Sequence, residues 1–169
     1  MDYEAGHRAP IYRYLDTNGD GTGTKDAIGN YSAAAADFFI APPAGQRYYL
    51  ARLLVVIEDG AAGFDTGDYG AITSGLTNGI VAKWVRSGTT HDLTDGVPVK
   101  TNVGWAAQCY DVALQTFGAG NSFLTVRWTF ERRGVGILLT NPEDKFVLTL
   151  NDDLSTLVQH RFQVQGYII

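Results

Sequence analysis

The densest group of side chains able to do chemistry is Asp16-Thr-Asn18-Gly-Asp20-Gly21-Thr22-Gly-Thr24-Lys-Asp26. Oxygen-bearing residues at alternate positions followed by glycine are what wrapping one chain around Ca²⁺ requires. Asp16, Asn18 and Asp20 fall at the first, third and fifth positions of such a loop, and Thr22 would offer its carbonyl. The twelfth position is Ala27 where an EF-hand has a bidentate Glu, and Asp26 comes one place early. The flanking Tyr12-Arg-Tyr-Leu reads as extended, so the loop is not an EF-hand. Two readings stand: a non-helical calcium loop with Asp16, Asn18, Asp20, Thr22 and Asp26 as its ligands, or a glycine-rich turn. Calcium is the one candidate cofactor. No Gly-Lys-Ser/Thr follows, so the stretch is not a phosphate-binding loop.

The remaining reactive side chains form no recognisable catalytic set. His7, His91 and His160 lack the i, i+4 spacing of a metal pair. His91 and Asp92 are neighbours on a strand and therefore point to opposite faces. There is no Gly-x-Ser-x-Gly elbow. Asp92 with Asp95, and Asp152 with Asp153, lie in stretches that read as turns, where Asp commonly bonds nearby backbone. Cys109 is the lone cysteine and can close no disulfide within the chain. The chain is expected not to be an enzyme.

The elements that must position these groups are strands. Leu124, Val126, Trp128 and Phe130 alternate with polar neighbours; so do Phe146, Leu148 and Leu150, and Phe162, Val164 and Ile168 against Arg161, Gln163 and Gln165. A period of two marks half-buried strands. Arg47 to Glu58 is more continuously apolar and reads as a central strand with Tyr49, Ala51, Leu53, Val55 and Ile57 inward. Arg52 on its other face must find a partner or water. Further strands are expected at Ala34 to Ile40, closed by Pro42-Pro43, then Gly79 to Arg86, Thr89 to Leu93, Tyr110 to Phe117 and Gly136 to Thr140. Weak helical signals at Phe64 to Leu76 and Thr101 to Gln108 are interrupted by glycine. The expected fold is all-β, a jelly-roll-like β-sandwich of about eight strands over residues 33–169. Residues 1–32 are turn-rich and polar, with Tyr3, Tyr12, Tyr14 and Tyr31 among them. They read as an extended arm that contacts a neighbour, outside a sandwich able to fold without it.

Thirteen basic against 18 acidic residues leave a formal charge of −5, and no basic stripe is present. A nucleic-acid partner is not expected, because phosphate neutralisation supplies most of the affinity of such binders. The longest aliphatic run, Leu53 to Ile57, is far short of a membrane span, and the first residues lack the pattern of a secretory signal.

Five segments together resemble small virion proteins of tailed bacteriophages. They are Tyr-Leu-Asp-Thr-Asn-Gly-Asp-Gly-Thr-Gly at 14–23, Phe-Ile-Ala-Pro-Pro-Ala-Gly-Gln at 39–46, Leu-Thr-Asn-Gly-Ile at 76–80, Asp-Leu-Thr-Asp-Gly-Val-Pro-Val-Lys-Thr-Asn at 92–102 and Phe-Gln-Val-Gln-Gly-Tyr at 162–167. The resemblance implies a virion component made in the host cytoplasm without saying which one; the first expectation is a capsid decoration (cement) protein whose partners are the major capsid protein and copies of itself. The alternative it leaves open is a tail or baseplate component that binds host glycans through exposed Trp84 or Trp105 and loop carboxylates.

Overall fold

In a computed structural model of the chain, residues 9–21, 35–59, 80–93, 111–116, 122–130, 136–151 and 159–169 are described. They form ten strands: β1 (Ala9–Tyr14), β2 (Ala36–Ile40), β3 (Tyr48–Asp59), β4 (Ile80–Arg86), β5 (Thr89–Asp92), β6 (Asp111–Thr116), β7 (Ser122–Thr129), β8 (Ile137–Leu139), β9 (Lys145–Leu150) and β10 (Gln159–Ile168). The strands build two antiparallel sheets, one ordered β1-β10-β3-β7-β6 with β8 also on β3, the other ordered β2-β9-β4-β5. The two sheets pack face to face. The two weak helical signals lie outside the described residues.

The pairings are nested. β4 pairs β5, β3 pairs β7 and β8, β2 pairs β9, and β1 pairs β10. One long antiparallel ribbon folded across two sheets gives this order, which is the jelly-roll arrangement the strand spacing predicted. β6 is added outside it by its hairpin with β7.

Alternation explains which face is buried. Ile40, Phe146 and Trp84 share one row of the smaller sheet, and Phe38, Leu148 and Ala82 the next. All six except the half-buried Trp84 are buried, as are Leu53, Val55, Trp128, Phe162 and Val164 on the facing sheet. Phe38 meets Phe162 across the interface edge to face, with ring centroids 5.2 Å apart, and Phe130 meets Phe146 at 5.5 Å. These edge-to-face contacts suit the ring quadrupoles. Removal of this apolar surface from water is the main force holding the sheets together.

Two expectations need correction. The stretch from Ala9 to Gly21 is not an arm apart from the sandwich. β1 runs along β10 from Ala9 opposite Ile168 to Tyr14 opposite Gln163, and Ile11 and Leu15 lie in the core. The Leu15 amide then bonds the carbonyl of Phe162, while Asp16 exchanges backbone bonds with Phe39 of β2. The chain thus crosses from one sheet to the other between residues 15 and 16. Short polar stretches conceal such a strand, because only Ile11 and Leu15 carry its apolar signal.

The second correction concerns β3. Leu53 and Val55 point inward as expected, but Tyr48 and Leu50 are the buried residues before them, not Tyr49 and Ala51. Gln165 lies opposite Arg52 and Gly166 opposite Leu50, so Ala51 is an extra residue in the ladder. This β-bulge shifts the alternation by one place and reverses the faces on either side of it. Gly166 is required across from it: a Cβ there would sit 1.9 Å from the carbonyl oxygen of Tyr49.

Candidate functional site: a trough on the larger sheet

The bulge leaves a mark on the outer face. β3 pairs β7 from Arg52 onward and β8 only up to Leu50, so its neighbour changes at Ala51 as well. Ala51 and Gly166 are among the residues lining an open trough of about 440 Å³. Tyr12 of β1 and Tyr167 of β10 line one side, Thr129 of β7 lines the other, and Arg52 and Gln165 lie between them. The row Tyr12, Gln165, Arg52, Thr129 is set by register across four strands. Tyr12 and Tyr167 are, with Ile169, the large apolar side chains that stand exposed among the described residues, at 54% and 36%.

Arg52 is half-buried and under-bonded. One terminal nitrogen reaches Gln165 Oε1 at 3.5 Å, a long contact, and its buried Nε has no partner. Among the described lining residues Arg52 is the one charged side chain. The trough is therefore an aromatic and amide-lined depression with a cation at its floor.

A second polar feature is structural. Asp144 is fully buried. Its carboxylate accepts bonds from the Ser87 amide at 3.0 Å, the Thr140 amide at 2.8 Å and the Thr140 hydroxyl at 2.7 Å. Burial alone would raise its pKa, but these bonds and the charge of Arg86 outweigh burial and hold the carboxyl below its ordinary value. Ser87 and Gly88 both have positive φ, 50° and 76°, the requirement of a two-residue hairpin between β4 and β5.

The loop read as a calcium site is described only as far as Gly21. Asp16 is buried, and its Oδ1 accepts the amides of Asn18, at 3.0 Å, and Gly19. This is the side chain of an Asx turn, the arrangement a glycine-rich turn adopts. Gly19 has φ +80°, and a Cβ there would run into the Phe39 ring. Asn18 and Asp20 are exposed, and Thr22 and Asp26 lie outside the described residues. Among the described residues no three His, Cys, Asp or Glu side chains gather as a metal would need.

Of the tyrosines expected at an interface, Tyr12 is exposed and Tyr14 is half-buried, opposite Gln163. Tyr3 and Tyr31 lie outside the described residues. Trp84 is no open platform: it packs against the core, with His91 5.6 Å from its ring and the Arg86 guanidinium 5.4 Å over it. Trp105 and Cys109 are outside the described residues. His91 lies opposite Trp84 and Asp92 opposite Lys83, on opposite faces. The trough escaped sequence reading because its residues come from four strands and a bulge brings them together. Its one legible signal was Arg52, a charge in a central strand.

Against protein-family models, curated proteins and solved structures, the chain finds no match.

Proposed function

We propose that the chain is a structural protein of a tailed-bacteriophage virion, a capsid decoration protein that binds the major capsid protein and copies of itself. The observation that carries this reading is the outer face of β1 and β10, where Tyr12 and Tyr167 stand exposed beside a β1 edge that no described strand covers. Tyrosine buries a large rigid area at an interface while keeping a polar tip, and an open strand edge offers backbone groups to a neighbour. The rigid jelly roll suits a lattice clamp, as it does viral capsid domains generally. The formal charge of −5 favours docking on a basic lattice surface.

Gold-labelled antibody against the chain, applied to purified virions of the phage that encodes it, tests the reading by electron microscopy. Label over the head is expected. Label confined to the tail overturns decoration in favour of the tail or baseplate alternative, and unlabelled virions overturn both.

A further inference from the structure

We propose that the trough around Arg52 is a binding site for a carboxylate-bearing sugar, such as a uronic or sialic acid residue within an oligosaccharide. This goes beyond the structural role and requires that the face carrying Tyr12 and Tyr167 be open to solvent when the sugar binds.

Shape, charge and chemistry converge on that ligand class. A volume of about 440 Å³ falls within the range of roughly 300–1,000 Å³ typical of small-molecule sites. Tyr12 and Tyr167 line it with exposed aromatic surface, which the apolar face of a pyranose ring covers well. Gln165 and Thr129 supply the neutral donors and acceptors that hydroxyl groups need.

The charge selects among sugars. With the Arg52 guanidinium as the one charge among the described lining residues, the trough favours an anion although the chain as a whole is acidic. The terminal nitrogens of Arg52 have one long contact, to Gln165, so the guanidinium lacks the acceptors that a half-buried cation needs. A ligand carboxylate placed at its terminal nitrogens provides a charge-assisted pair of bonds. The aromatic walls distinguish such a sugar from a bare inorganic anion, for which they offer nothing.

The site is also built into the fold. Ala51 and Gly166 line it, and Gly166 cannot take a side chain without striking the β3 backbone. The spacing of Tyr12, Gln165 and Arg52 follows from the register of β1, β10 and β3.

The test is an array of neutral and of glucuronate-, galacturonate- and sialate-containing oligosaccharides, followed by titration calorimetry of the full chain with the tightest-binding of these acidic oligosaccharides and with its methyl ester. Binding to at least one acidic class is expected, with affinity reduced tenfold or more by esterification. Arg52→Gln should reduce binding of the acidic ligand by a similar factor, and Tyr12→Ala, a change at an exposed position, should weaken acid and ester alike. Circular dichroism verifies that each variant is folded, and Tyr12→Ala tests the site separately should Arg52→Gln fail to fold. The proposal is overturned if no acidic oligosaccharide binds, if acid and ester bind equally, or if folded Tyr12→Ala binds as the parent does.

Discussion

The carboxylate of Asp144 accepts the amide of Ser87, 57 positions earlier in the chain, at 3.0 Å. It thereby ties the turn before β9 to the β4–β5 hairpin, whose Ser87 adopts a positive φ that side chains disfavour. Replacing Asp144 with Ala leaves the Thr140 and Ser87 amides without this acceptor and should cost about 2–4 kcal/mol in chemical denaturation.

The same carboxylate gives stability a defined pH dependence. Its folded pKa lies below the unfolded value, so its contribution is full above the unfolded value, near pH 4, and is lost as pH falls through the folded value. Denaturation curves of the parent and Asp144→Asn, measured from pH 7 to pH 2.5, should therefore differ most at neutral pH and converge in acid. A gap that persists unchanged at pH 2.5 contradicts the assignment.

Gly166→Ala should be among the most damaging small substitutions. The new methyl meets backbone, not a movable side chain, at the centre of the β3–β10 pairing. A loss of about 3 kcal/mol, seen as a melting temperature lower by roughly 6–12 °C, is expected. Gly45, where an added Cβ meets nothing within 4 Å, is a control for space, although its φ of +82° still strains a side chain.

Deleting residues 1–16 should unfold or aggregate the protein. It removes Ile11 and Leu15 from the core and leaves β10 as a bare edge. Losing two buried aliphatic side chains at about 2–5 kcal/mol each takes most of a stability that is typically 5–15 kcal/mol. Soluble expression with an unchanged melting temperature would show that β1 contributes little.

For the Asp16 turn, melting temperatures in chelator and in several millimolar calcium should coincide, because Asp16 Oδ1 is engaged by the Asn18 and Gly19 amides. A rise with free calcium would restore the calcium reading through binding linkage. Asp16→Ala should cost about 1 kcal/mol in either condition, as loss of comparable side-chain caps does.

The fold was largely legible in the sequence because alternation is a direct trace of one buried face. Phe146, Leu148, Phe162 and Val164 are all buried as it predicts, but β9 has no wet face, because Val147 and Thr149 are buried as well. Legibility failed where local pattern and tertiary pairing part. β1 has too few apolar residues to announce itself, and the bulge at Ala51 reverses the inward set of β3 without any unusual residue in that strand. Gln163 alternates as an outward polar residue yet is buried between Tyr14 and Leu54. The trough was hidden for the same reason, since it is a property of register between strands and not of any one segment.

The position of β10 between β1 and β3 has a consequence for the order in which the molecule can be made. Arg52 must wait for Gln165, 113 residues later, before their strands can meet. Until then β1 lacks its β10 partner, and the edge of β3 that β10 will cover stays open. Closing a loop so long is entropically demanding, and all-β domains rich in such pairings fold slowly. The larger sheet therefore completes only after translation of β10, which joins β1 to β3. During that interval the nascent chain is open to association with other copies of itself.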